Sequence, residues 1–289
     1  VAPVAPVAPV VSEAELTNLE MKALMMLHSI DADLGEEVSL THSKDGRLQI
    51  EAIVDTLQRK NRILASLAPI MGRPAVIIRI ETVAEALRVQ KKKTSIQPSV
   101  QEYDATAGAI PAEPELRAYF SNRLAKPANE EIDTEIRKFA IDILNRSQRS
   151  LLFAYALKRL AGRFSNNDLQ KLDVESRVAW YSMVATHAQK LSAQTAEIRK
   201  EVQPVFAPAS GGEAPSVDSP RKFKNEADLL AAVKQLSELE IILDRDLRSA
   251  FIAGSQTEPA QSVKTVKLLR DLLKVEKLSA EIYKSAIQQ

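Results

Sequence analysis

Cysteine is absent from this 289-residue chain. Disulfides, cysteine-ligated zinc, iron–sulfur clusters and thiol catalysis are excluded with it. Glycine is scarce, with eight scattered residues, so no glycine-rich phosphate loop can be drawn. Neither a G-x-S-x-G elbow nor H-E-x-x-H occurs. His28, His42 and His187 fall in different segments, and no glutamate is followed three residues later by histidine. The Glu-x-x-His pairs of di-iron helical proteins are therefore missing. Neither sign of charge dominates: 39 basic and 38 acidic residues leave a net charge of +1, without the basic surplus of a nucleic-acid-binding domain. No apolar run approaches the ~20 residues that span a bilayer. The absences lead to the expectation of a noncatalytic chain with no cofactor, no metal and no nucleic-acid partner.

The clearest strand signals lie between Glu36 and Thr82. Val38, Leu40 and His42 alternate with Ser39 and Thr41, and Leu48, Ile50, Ala52 and Val54 alternate with Gln49, Glu51 and Ile53. Lys44-Asp45-Gly46 separates the two runs. Period-two alternation on either side of Asp-Gly predicts a hairpin, because glycine accepts the positive φ of a tight turn. Asp55-Thr56-Leu57-Gln58 has capping-box spacing with Asp55 as the cap, and opens a helix carrying Ile63, Leu64 and Leu67. Gly72 and Pro74 end that helix, and Ala75 to Thr82 predicts a third strand. Before the sheet, Leu16, Leu19, Ala23, Leu27, Ile30 and Leu34 recur at helical spacing from Ser12 to Leu34, with Gly35 as the stop.

The predicted order is α-β-β-α-β. On Val38 to Thr41, Asp45-Gly46-Arg47-Leu48, Ile50 to Val54 and Val76 to Ile80, residues 13–85 resemble the small BON-type modules of bacterial envelope proteins. The resemblance implies a noncatalytic module that works at membranes or between envelope proteins. Ectodomains of membrane-anchored bacterial regulators such as anti-sigma factors can be assembled in this way.

Residues 1–11 carry three Val-Ala-Pro triplets. Proline at every third position favours extended polyproline II, so a tail or stiff stalk is expected there. Val1 stands where a methionine would begin a chain, which leads to the expectation of a signal peptide or anchor upstream. The domain reading is a stalk over 1–11, a BON-like αββαβ domain over 12–88, a linker over 89–115 and a helical domain over 116–289. The linker contains Lys91-Lys92-Lys93, Pro98, Gly108, Pro111 and Pro114.

Four long helical patterns follow: Glu130 to Phe164, Asp168 to Val202, a helix capped by Asn225, and Pro259 to Ile287. Pro204 to Arg221 interrupts them, and a disordered loop is expected over 204–224. The matched lengths predict an α+β protein whose second part is an antiparallel four-helix bundle. Four titratable residues fall on or beside the apolar stripes: Arg146, His187, Glu240 and Glu276. Counted from turns near Asn166 and Gln256, their heights agree within about 5 residues, or ~7 Å at 1.5 Å per residue. They are the candidate buried polar layer, the acids pairing with Arg146 and His187, and Ser147 and Ser150 nearby.

The functional expectation is a binding, sensing or scaffolding region, periplasmic or otherwise extracytoplasmic. It would be anchored upstream of residue 1, lie near the membrane, and have a protein as partner. The alternative is a cytosolic helical adaptor or coiled-coil assembly protein.

Overall fold

The computed structural model describes residues 11–34, 37–91, 110–125, 127–207, 223–252 and 265–289. It is an α+β structure, mainly helical, with one small three-stranded sheet. The chain divides into two compact units. The first takes its residues from Val1–Val100 and Phe164–Met183, the second from Gln101–Arg163 and Val184–Gln289.

In the first unit, α1 (Glu13–His28) starts at a capping box. The Glu15 N–H donates to Ser12 Oγ, and the Ser12 N–H donates back to the Glu15 carboxylate at 3.0 Å. Val11, just before the cap, packs on the core. The expected stalk thus gives its last residue to the fold, and residues 1–10 lie outside the described residues. The helix ends at His28 and not at Leu34, because Asp31 adopts φ 56° and the Ala32 N–H turns back to Leu27 O at 2.9 Å.

β1 (Glu37–His42) and β2 (Leu48–Val54) form the expected hairpin. Gly46 sits at φ 74°, and the Ser43 N–H closes onto Arg47 O at 2.8 Å. α2 (Leu57–Leu67) is capped by the Thr56 hydroxyl, one residue later than the sequence reading placed it, with Arg59 N–H as donor at 3.1 Å. β3 (Val76–Thr82) returns parallel to β2, so the sheet order is β1-β2-β3 with β2 central. Leu48, Ile50, Ala52 and Val54 of β2 are all buried, against Leu16, Leu19, Ala23 and Leu27 of α1 and Ile63 and Leu67 of α2. Residues after β3 form a helix, α3 (Val83–Lys91).

Two further segments belong to this unit, although the sequence reading assigned them to the helical half. α6 (Asn166–Lys171) and the first turns of α7 (Val174–Phe206) lie within Phe164–Met183. The reason is visible at α1. Lys171 pairs with Glu13 at 3.7 Å, the Asp173 N–H donates to Asn18 Oδ1 at 3.0 Å, and Glu175 pairs with Lys22 at 3.3 Å. The single helix expected from Asp168 to Val202 is in fact two, because Leu172 is extended at ψ 142° and the Asp173 carboxylate caps α7 through the Ser176 N–H at 2.7 Å. Trp180 is fully buried with its ring edge-on to Tyr181.

The second unit holds α4 (Glu113–Arg123), α5 (Asn129–Arg163), the rest of α7, α8 (Glu226–Phe251) and α9 (Thr265–Ala286). The first turn of α4, 113–115, occupies ground that the sequence reading gave to the linker. Pro114 lies in its first turn beside Glu113 and Glu115, where a missing N–H costs nothing and acids suit the helix dipole. Leu116 and Phe120 then bury one face. The remainder of the linker, 92–109, lies outside the described residues. α7 continues through Pro204 to Phe206, with Val205 and Phe206 buried, so the loop expected from 204 begins later. Its central part, 208–222, lies outside the described residues.

α5 and α8 run antiparallel, since Ser147 meets Asp244 and Phe139 meets Phe251; the start of α4 reaches the end of α8 through Ala112 N–H to Ala250 O. α5 and α7 also run antiparallel: Arg146 pairs with Glu201 and Ser150 faces Thr195. α9 is tied to α8 by Lys267 with Asp246, and to α7 by Glu276 with Arg199. Four phenylalanines close one end of this unit: Phe120 on Phe139, Phe139 on Phe251, and Phe206 on Phe251, at 5.9–6.1 Å between ring centres.

Candidate functional site

The four residues of the expected polar layer do not form one cluster. Arg146 of α5 pairs with Glu201 of α7 at 3.1 Å, partly exposed. Glu276 of α9 accepts from Arg199 of α7 at 2.6 Å. His187 is fully buried, its ring 6.2 Å from that of Phe153. Glu240 is fully buried too and is bonded to neither Arg146 nor His187. Height alone could not decide these pairings. Each residue turns the helix by about 100°, so groups level along the axis can face different neighbours. α6 also displaces the turn from which the heights were counted.

A different polar group is assembled around Glu240. α5 supplies Ser147 and Ser150, α7 supplies Thr195, and α8 supplies Asp244 one turn beyond Glu240; all are buried. Ser147 Oγ donates to Asp244 Oδ1 at 2.7 Å, and Arg248 Nε donates to its other oxygen at 2.7 Å. Ser150 and Thr195 hydroxyls stand 3.5 Å apart, and Thr195 also donates to Leu191 O at 3.0 Å. Asp244 is thereby bonded on both oxygens.

Glu240 is not. Neither of its carboxyl oxygens has a hydrogen-bond partner among the described residues, and the residue is 0% exposed. Burial pushes its carboxyl up to about 7; the nearby Ser150 hydroxyl draws it down, without hydrogen-bond geometry to either oxygen, and the Asp244 charge pushes it further up. An ionised carboxylate in such surroundings is costly, and the neutral acid is the form that burial favours.

A second feature of this unit opens to solvent. Glu115, Ala118, Tyr119, Asn122 and Arg123 of α4 face Pro204 and Val205 of α7 across a groove of about 380 Å³. The spacing 115, 118, 119, 122 is one face of a helix. Glu115 Oε2 is buried with no hydrogen-bond partner among the described residues. Arg123 does not neutralise it: its guanidinium lies over the Tyr119 ring and donates to the Tyr119 hydroxyl. Arg117, on another side of α4, is held by Glu113 and Asp133, which raise it above its ordinary value. The groove thus combines apolar walls, an aromatic ring and one acceptor. Sequence reasoning missed it by placing residues up to 115 in a linker; the signals were Pro114 between two acids and the Leu116–Phe120 pair.

In the first unit the remaining histidines are engaged locally. His28 Nδ1 lies 2.8 Å from Asp33 Oδ2, and His42 Nε2 lies 2.9 Å from the buried Glu20. No helix of the described residues is long and apolar enough to cross a membrane. Compared with known proteins, the chain matches no family model, no curated protein and no solved structure.

Proposed function

We propose that this chain is a noncatalytic binding and scaffolding region, extracytoplasmic in a membrane-anchored bacterial protein. In this reading residues 12–88 of the first unit form a BON-like module, and α5, α7, α8 and α9 act as an antiparallel four-helix bundle. The order α1-β1-β2-α2-β3 supports the first assignment. The antiparallel pairs α5–α8 and α5–α7, with α9 beside α7 and α8, support the second.

The observation that carries the binding role is the groove beside α4. Its volume is within the ~300–1,000 Å³ of ordinary ligand sites. A partner's apolar side chain fits against Ala118, Pro204 and Val205, beside the Tyr119 ring. Exposed apolar residues on α5, Ile141 and Tyr155, add contact surface of the same kind.

A photo-crosslinking residue in place of Asn122, in cells of the natural host, tests this. One discrete protein adduct is expected, and Ala118→Trp, which fills the groove, should remove it. An adduct pattern unchanged by Ala118→Trp would overturn the groove as the binding site. For the location, an added protease that cannot enter the cytoplasm should digest the chain in spheroplasts; full protection there would contradict the extracytoplasmic reading.

A further inference from the structure

Glu240 has the placement of a working proton site, not of a structural acid. Three other acids on α7, α8 and α9 are satisfied: Asp244 by Ser147 and Arg248, Glu276 by Arg199, Glu201 by Arg146. Glu240 alone of these combines complete burial with two unbonded oxygens among the described residues. Hydroxyls from two other helices converge on its neighbourhood, Ser150 of α5 and Thr195 of α7. An un-ionised acid is tolerated there, because it carries one donor that can turn to a hydroxyl oxygen. A carboxylate carries none and needs donors, and the Ser150 hydroxyl stands near it without hydrogen-bond geometry to either oxygen.

We propose that Glu240 is a proton-binding site that makes the packing of α8 against α5 and α7 depend on pH, closed with the acid protonated and loosened with the carboxylate formed.

The charged and titratable groups on the surrounding helices leave Glu240 in control. On α8, Asp244 adds negative charge one turn away and opposes ionisation. On α5, Arg146 is committed to Glu201 of α7. On α7, Arg199 is committed to Glu276 of α9, and His187 stacks with Phe153. Among the described residues no cation is bonded to Glu240 to hold its charged form.

The sign follows from the raised folded value. The folded chain, with the carboxyl at about 7, holds this proton more tightly than the unfolded chain at the ordinary 4.5. The difference is roughly 300-fold in proton affinity. The stabilising contribution is complete below about 4.5 and is lost as pH rises through about 7. The inference does not rest on the binding role of the groove.

Thermal unfolding of the whole chain between pH 4 and 9 tests it, comparing the native protein with Glu240→Gln, an uncharged near-isostere. The three histidines are common to both proteins and cancel in the difference. The midpoint of Glu240→Gln relative to the native protein should be flat below about pH 4.5, rise between about 4.5 and 7, and level off above about 7. Amides of α8 in the native protein should show the greatest increase in opening over the same range, after correction for intrinsic exchange. A midpoint difference independent of pH would overturn the proposal. If Glu240→Gln does not fold, the carboxyl carbon signal of Glu240 in the native protein decides: a titration midpoint above 6 supports the site, and one below 5.5 or no titration with a charged shift refutes it.

Discussion

At the scale of single residues, the fold depends on a few positions whose chemistry admits little substitution. Gly46 takes φ 74°, and a Cβ there would meet nothing within 4 Å. Gly46→Val is therefore penalised by backbone strain alone, about 1–2 kcal/mol in denaturant unfolding. Gly46→Asn, which tolerates that conformation, should cost clearly less. Ser147→Ala removes a buried donor from Asp244, which keeps only Arg248. A loss of about 1–3 kcal/mol is expected by the same measurement. Gly46 was legible in the sequence because Asp-Gly between two alternating runs has few other uses. The Ser147–Asp244 bond was not, because Asp244 lies on a stretch read only for its leucines. Glu240 was picked out as an acid on an apolar stripe, but its neighbours were misassigned: partners follow from helix azimuth, and only the packed structure supplies that.

At the scale of elements, caps determine where helices begin. Asp173 is the instructive case. Its carboxylate takes the Ser176 N–H, and its own N–H reaches Asn18 on α1. One residue thus starts α7 and fastens that start to the sheet-bearing unit. Asp173→Ala should cost about 1 kcal/mol, as the loss of an N-cap does. Its pH behaviour has the opposite sign to that of Glu240. The Ser176 backbone N–H holds the Asp173 carboxyl below 3.8, and Ser165 does the same for Asp168. Their contribution is present above the ordinary aspartate value and lost as pH falls through the lowered folded values. In melts between pH 2 and 5, Asp173→Asn, which caps without titrating, should show a shallower acid loss than the native protein. The long helices were legible from apolar periodicity, which is averaged over many turns. The break at Leu172–Asp173 and the short α4 were not. A six-residue helix carries too few apolar positions to declare a period, and Pro114 reads as a linker residue unless its place in a first turn is recognised.

At the scale of the whole molecule, the order α1-β1-β2-α2-β3 followed the sequence pattern closely, because each strand alternates and each turn carries its glycine or proline. The unit boundaries did not. Composition suggested a cut near residue 100 that would free two parts, yet Phe164–Met183 belongs with the first unit. Ion pairs and a hydrogen bond join that segment to α1, and such contacts leave no periodic trace. A fragment ending at residue 100 should consequently unfold more readily than the same region in the intact chain, as hydrogen exchange on α1 would register. The proposed binding of a protein in the groove between α4 and the end of α7 is tested most directly by the native mass of the chain in extracts of its host, with and without Ala118→Trp. A complex heavier than the chain itself is expected, released to the mass of the lone chain when the groove is filled. An identical native mass for the two proteins, each folded, would contradict it.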